Sequence, residues 1–171
     1  MMDGLEAITF DFGNTLVPFP AGPMASVVDR TAEMAAGLAG CTPEELARVW
    51  GEERLRQFAE DVPEGREADM DVRVVRVLAR LRGRSAPAAG ERWDDAALIS
   101  YSEPGEVDAI LNTYADAFVR NTPIPAAVGG MLERLARDCR LAVISNWPLA
   151  LSLDRFLEAA SALGHGLGRP P

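Results

Sequence analysis

The sequence predicts a mixed α/β fold with a small parallel sheet and a long helical segment between its two strands. Two short apolar runs carry the strand prediction, AITFD at residues 7–11 and RLAVIS at residues 140–145. Both runs are rich in aliphatic or β-branched residues and both lead into turn-forming residues. The segment between them has apolar residues at helical spacing. Strands that alternate with helices in this way are typical of α/β folds.

The composition is that of a folded globular protein. The chain has 171 residues, of which 48% are hydrophobic and 25% charged, and its net charge is −9. This negative charge argues against nucleic acid as a partner, because phosphate backbones are held mainly by lysine and arginine. No apolar stretch approaches the roughly 20 residues that cross a bilayer, and the N-terminus lacks a basic stretch followed by a long apolar run. We therefore expect a soluble, cytoplasmic protein without a membrane partner.

Asp11 stands at the end of the first predicted strand, Ala7–Asp11, and is followed by the turn-forming residues Gly13 and Asn14. An apolar strand that ends on a carboxylate and enters such a turn presents that carboxylate at the C-terminal edge of the sheet. Open α/β sheets place their chemistry at this edge. Asp11 is therefore the main candidate catalytic residue. A strand-end acid that only caps the turn is the structural alternative.

Three helices are predicted in the first half of the helical segment. The first ends near Gly40, and the second begins with a capping box at Thr42–Glu45. The apolar faces are predicted to consist of Val27, Val28, Thr31, Met34, Ala35 and Leu38 in the first helix, Leu46, Val49, Trp50 and Leu55 in the second, and Val72, Val75, Leu78, Ala79 and Leu81 in the third. Arg73 and Arg76 are expected on the remaining surface of the third helix, and Glu52-Glu53 on a solvated face.

The second half of the chain leads back to the sheet. A helix is predicted over Val107–Val119 and is broken by the proline-containing segment Thr122–Pro125. A further helix around Leu132 then feeds the second strand, Arg140–Ser145. Pro148 fits the first turn of a last helix. The second strand, like the first, therefore ends on a short polar side chain at the start of a turn.

Two motifs resemble those of the haloacid dehalogenase-like (HAD) hydrolase superfamily. DFGNTL, preceded by the apolar AITF, is similar to its first motif, and LAVISNWP at Leu141–Pro148 is similar to its second, a strand that ends in Ser-Asn. The resemblance implies an incomplete Rossmann-like parallel-sheet core made of residues 1–20 and 122–171. It also implies that residues 21–121 are a helical cap over the active site. Helices that merely pack on the sheet are the alternative for this segment.

The resemblance implies the chemistry of the site. In the superfamily the first aspartate attacks phosphorus or carbon, so Asp11 would be the nucleophile. Attack on a small phosphorylated metabolite would give an aspartyl phosphate that water hydrolyses. The family's Mg²⁺ ion would be bound by Asp11 and by the backbone carbonyl of Gly13. The candidate phosphate-binding residues are Asn14, Thr15, Ser145 and Asn146, of which the first two also hold the turn.

Three departures from the family pattern predict impaired activity. Gly13 stands where many phosphatases of the superfamily have a second aspartate that donates and accepts protons. The third motif is a lysine, and this chain has no lysine; Arg169-Pro170 is the nearest imitation. The acidic pair of the fourth motif has no counterpart, so Mg²⁺ affinity should be low. We therefore expect the N-terminal portion of a HAD-like protein, shortened near Ala159.

Two other functions stay open. Dehalogenases of the superfamily also lack the second acid, which keeps a carbon–halogen hydrolase as an alternative. The other is a degenerate, non-catalytic HAD-like domain that binds a partner through its helical segment, which an exposed apolar face would favour. Because a two-stranded sheet leaves edges and a face uncovered, an oligomer formed through the sheet or the cap is a further expectation.

Overall fold

The computed structural model describes residues 6–162 and shows a mixed α/β fold that is mostly helical. Strand β1, Ala7–Asp11, and strand β2, Arg140–Ile144, form a two-stranded parallel sheet. The first strand has the predicted bounds, and the second ends one residue before the predicted Ser145. Within the described part of the chain, no helix is both long and apolar enough to cross a membrane.

Seven helices accompany the sheet within residues 6–162. They are α1 (Ala21–Ala39), α2 (Pro43–Arg56), α3 (Met70–Leu81), α4 (Asp95–Leu98), α5 (Glu106–Asn121), α6 (Ala126–Leu135) and α7 (Ala150–Ala162). A π-helical turn, Gln57–Asp61, extends α2, and 3-10 turns lie at Val62–Glu64 and Ile99–Tyr101. Helix α7 begins after Pro148, not at it.

The predicted boundary between α1 and α2 is confirmed in atomic detail. Gly40 adopts a left-handed conformation with φ of 69° and ends α1, as glycine does because it has no side chain to clash there. The Thr42 side chain then accepts a hydrogen bond from the Glu45 N–H at 3.2 Å. This bond satisfies one of the backbone donors that the first turn of α2 would otherwise leave without a partner.

One hydrophobic core joins the helices to the segments that flank the strands. Helix α5 packs against α1 and α7, while α2 packs against α1 and α3. Phe12, Phe118 and Phe156 are buried at the centre, with the Phe12 and Phe156 rings 4.8 Å apart in an edge-to-face arrangement. The turn after β1 is therefore anchored by Phe12 in the same core that holds the helices together.

Only one face of the sheet packs on this core. The residues of both strands alternate between half-buried and exposed, and Phe10, Leu141 and Val143 contact the core. The opposite face carries Asp11 at its edge and Ile144, whose side chain is 70% exposed. The helices within residues 6–162 thus cover one side of the sheet and leave its other side exposed.

The predicted apolar faces of α1 and α2 are partly wrong. Val28 and Leu38 are exposed, because the buried face of α1 is centred on small residues that allow close approach of its neighbours, namely Val27, Thr31, Ala32, Ala35 and Ala36. Leu55 is 68% exposed. The inner face of α2 instead continues from Leu46, Val49 and Trp50 to Glu53.

Charged side chains that were predicted to face solvent are buried between α2 and α3. Glu53 is fully buried and accepts a hydrogen bond from Arg80 at 2.6 Å. Arg73 donates to the Gln57 side chain at 2.8 Å, and burial lowers its pKa to about 10. Arg76 is also buried and pairs with two carboxylates. The expectation for these residues is wrong because each finds a hydrogen-bond partner on a neighbouring element, which offsets part of the cost of leaving water.

Candidate functional site

The two strands bring the two sequence motifs to one edge of the sheet. In the parallel register Asp11 lies opposite Ile144, so Ser145 follows directly beyond the residue that faces Asp11. The carboxyl ends of both strands point the same way, as in any parallel pair. Asp11 is exposed and Ser145 is half-buried. The structure therefore places the candidate nucleophile and the candidate phosphate-binding segment side by side.

A compact turn follows Asp11. The Phe12 carbonyl accepts hydrogen bonds from the N–H groups of Leu16 at 3.0 Å and Val17 at 3.2 Å. Asn14 has a positive φ of 57° and its side-chain oxygen accepts a bond from the Phe19 N–H at 3.0 Å. Asparagine tolerates this conformation because its short polar side chain bonds to nearby backbone. Asn14 therefore holds the turn in the way predicted for it.

Thr15 orients the carboxylate of Asp11. Its hydroxyl donates a hydrogen bond of 2.8 Å to Asp11 Oδ2. Such a bond to an ionised acceptor restricts the rotation of the carboxylate and is stronger than a bond between neutral groups. Thr15 thus contacts the candidate nucleophile directly, four residues along the chain.

The segment after β2 is also fixed by local hydrogen bonds. Ser145 Oγ accepts a bond from the Trp147 N–H at 3.1 Å, which leaves the serine proton able to be donated elsewhere. The Trp147 indole N–H donates to Ser152 Oγ at 2.7 Å, and that hydroxyl donates to the Leu149 carbonyl at 2.8 Å. Asn146, between Ser145 and Trp147, is exposed. This arrangement orients Trp147 beside the predicted phosphate-binding residues.

Phe19 occupies the space next to Gly13. A Cβ atom placed on Gly13 would lie 2.6 Å from Phe19 Cε2, closer than real Cβ contacts come. The Phe19 ring in turn packs on Trp147 with ring centroids 4.9 Å apart. Position 13 therefore cannot carry a side chain unless Phe19 moves. The sequence analysis missed Phe19, although a glycine at this point of the motif is itself a signal that another group fills the space.

A cavity of about 340 Å³ lies between the helical segment and the turn after β2. The two sides also meet through a hydrogen bond of 3.0 Å from the Met70 N–H to the Pro148 carbonyl. The cavity is lined by Trp147, Pro148 and Leu111 and by the acids Glu67, Asp69, Asp71 and Asp108. Burial and the charges of Asp69 and Asp108 raise the pKa of Asp71 above its ordinary value. This cleft is negatively charged next to one end of the candidate site.

The described residues do not complete a Mg²⁺ site. Asp11 and the carbonyl of Gly13 are two oxygen ligands, whereas Mg²⁺ takes six in near-octahedral geometry, several of them waters. Across residues 6–162, no group of three or more histidine, cysteine, aspartate or glutamate side chains is placed to hold a metal ion. These two predicted ligands alone would therefore be insufficient for a Mg²⁺ site. Arg169 and Pro170 lie outside the described residues.

Comparison with models of known protein families, with curated proteins and with solved structures found no match for this chain.

Proposed function

We propose that the chain is a HAD-like hydrolase of the phosphatase type in which Asp11 attacks the phosphoryl group of a small phosphorylated metabolite. The observation that carries the proposal is the parallel register, which sets Asp11 and Ser145 at the same edge of the sheet. Ligand and catalytic sites of open α/β folds lie at this edge. On this proposal the two strands are part of an incomplete Rossmann-like core, and the helices of residues 21–121 are its cap.

Each residue of the edge has a distinct role in the proposed site. Because Thr15 donates to Asp11 Oδ2, we assign the attack on phosphorus to the other oxygen, Oδ1. The Ser145 hydroxyl and the Asn146 backbone N–H are the donors for the phosphoryl oxygens, where charge accumulates in the transition state. Asn14 maintains the turn that presents these groups.

The proposed activity is low. Gly13 has no side chain to donate or accept a proton, and the chain has no lysine to bridge the carboxylate and the phosphate. Mg²⁺, when bound, would reduce the repulsion between the carboxylate and an anionic substrate. Since Asp11 and Gly13 supply only two ligands, we expect Mg²⁺ to bind weakly.

The test is phosphate release from para-nitrophenyl phosphate by the purified chain in buffer with Mg²⁺. We expect slow release that Asp11→Asn abolishes. Asp29→Asn is the matched control, because Asp29 is an exposed aspartate on α1 and is not one of the candidate site residues. A folded native chain that releases no phosphate, or an Asp11→Asn variant that releases it at the native rate, would contradict the proposal.

A second candidate, hydrolysis of a carbon–halogen bond, is favoured by the aromatic pair Phe19 and Trp147 beside the turn. The same carboxylate would attack carbon, and halide would leave without needing a proton. Halide release from short haloacids, again lost in Asp11→Asn, would support this reading. The result also distinguishes it from the phosphatase, because the two products are different ions.

A third candidate, a non-catalytic domain that associates through its helical segment, is favoured by apolar side chains on the outer surface of α2 and the π-helical turn. Leu55 is 68% and Phe58 51% exposed, and Val62 continues the same stripe. Self-association through this stripe predicts a concentration-dependent mass in sedimentation that Phe58→Ser reduces to that of a monomer. A mass that does not change with concentration would argue against it.

A further inference from the structure

The contact between Phe19 and Gly13 bears on which substrates the proposed site accepts. The three atoms nearest to a Cβ placed on Gly13 all belong to the Phe19 ring, at 2.6 to 3.4 Å. Gly13 does not adopt a positive φ, so its backbone conformation alone does not exclude a side chain. The ring of Phe19 is the group that excludes one.

Phe19 is held in this position from several sides. Its backbone N–H donates to Asn14, and its ring packs on Phe12 at 5.9 Å, Phe118 at 5.8 Å and Trp147 at 4.9 Å between centroids. A ring with three aromatic neighbours cannot turn away without losing these contacts. The space over Gly13 is therefore closed by the packing of the core, not by a mobile side chain.

By the resemblance to HAD phosphatases, position 13 is the place at which a carboxyl group would protonate a departing alkoxide. Proton donation by such a group contributes about 10²–10⁴-fold to a reaction rate. Without it, only leaving groups that are stable as anions depart readily. Resting on the proposed function, we infer that the Asp11 site is restricted to substrates whose leaving group departs without a proton, such as aryl phosphates, because Gly13 carries no acid and the Phe19 ring fills the space that one would occupy.

The reaction balances without a proton donor in its first step. Asp11 Oδ1 forms a bond to phosphorus, the bond from phosphorus to the aryl oxygen breaks, and its electron pair leaves on that oxygen as a phenolate. Water then adds to the aspartyl phosphate and releases inorganic phosphate with the carboxylate of Asp11 restored. An alkyl phosphate would have to release a strongly basic alkoxide in the first step, which is slow.

The test compares kcat/KM of the native chain for para-nitrophenyl phosphate, phenyl phosphate and glycerol phosphate in the same Mg²⁺ buffer. We expect a preference of more than about 10²-fold for the nitrophenyl over the glycerol ester, with phenyl phosphate between them. Native kcat/KM values for the nitrophenyl and glycerol esters within about tenfold of one another would overturn the inference, because that result requires a proton donor other than a side chain at position 13.

The variant Gly13→Asp/Phe19→Ala should raise glycerol phosphate turnover by about tenfold or more and reduce the preference for the nitrophenyl over the glycerol ester. The reason is that it removes the ring next to position 13 and places an acid there. Ile99→Ala is the matched control: it removes an exposed apolar side chain on another element, the 3-10 turn Ile99–Tyr101, and should leave the preference unchanged. A preference that the double variant leaves at its native value would also overturn the inference.

A readout without turnover separates this inference from the proposed function. Gly13→Ala should lower the Tm of the native chain, and the same substitution should change the Tm much less in a Phe19→Ala background, because the clashing ring is gone. Equal losses in both backgrounds would overturn the inference even if Asp11-dependent phosphate release is observed. A much smaller Tm loss in the Phe19→Ala background, combined with no turnover of any ester, would instead contradict the proposed function and, with it, the restriction on substrates.

Discussion

Arg76 is the cation at the centre of the buried charges between α3 and its neighbours. Its guanidinium donates to Asp61 Oδ2 at 2.9 Å and to both oxygens of Asp95 at 2.7 and 3.0 Å. The side chains of Arg76 and Asp61 are only 3% and 7% exposed, whereas that of Asp95 is 34% exposed. Substituting Arg76→Met removes the charge and keeps most of the volume.

The cost of this substitution follows from what each carboxylate loses. Removing one partner of a buried ion pair costs about 3–5 kcal/mol of unfolding free energy. Asp95 regains water, and Asp61 keeps the half-exposed Arg66 at 3.0 Å. We therefore expect a loss at the lower end, about 3 kcal/mol, which in a chain of this length lowers the Tm by about 6–12 °C.

Urea unfolding followed by circular dichroism measures this loss. Arg48→Met is the matched control, because Arg48 and its partner Glu52 form an exposed pair at 2.7 Å that should contribute less than about 0.5 kcal/mol. A loss below about 1 kcal/mol for Arg76→Met, in a variant that still folds, would refute the claim that Asp61 and Arg76 form a buried pair.

Two further predictions concern stability. The Arg82 guanidinium lowers the pKa of Glu106 below its ordinary 4.5, so this pair should stabilise the fold above that pH and cease to do so as the pH falls through the lowered pKa. The difference in urea midpoint between the native chain and Arg82→Met should therefore disappear on acidification, and a difference independent of pH would contradict the prediction. Thr42→Ala should lower the unfolding free energy by about 1 kcal/mol, because the Glu45 N–H loses its acceptor; an unchanged urea midpoint would contradict the cap.

Local patterns predicted the strands and the turn that carry the site. The bounds of β1 and the helix end at Gly40 depend on residues close in sequence, and both are confirmed. The parallel pairing of β1 with β2 joins distant segments and is also confirmed; it was expected because strands that alternate with helices are typical of parallel sheets. The juxtaposition of Asp11 and Ser145 followed from two strand ends in one parallel sheet. These features could be predicted because apolar periodicity and turn chemistry act over a few residues.

The features that the sequence analysis missed depend on partners distant in sequence. Glu53 continues the inner face of α2 because Arg80 reaches it from α3, and Arg73 is buried because Gln57 accepts its hydrogen bond. A prediction that treats every charged residue as exposed assigns Leu55, and not Glu53, to the buried face of α2. Phe19 was missed for the same reason, since its contact with Trp147 spans most of the chain.

Trapping the proposed aspartyl phosphate on Asp11 would test the proposed mechanism most directly. Because position 13 has no group to activate water, hydrolysis of the intermediate should be slow, and acid quenching of the chain with para-nitrophenyl phosphate should preserve it. We expect a phosphorylated peptide that contains Asp11, detected by mass spectrometry and absent from Asp11→Asn. Phosphate release by the native chain with no phosphorylated peptide, or with the phosphate on another residue, would contradict the assignment of Asp11 as the nucleophile.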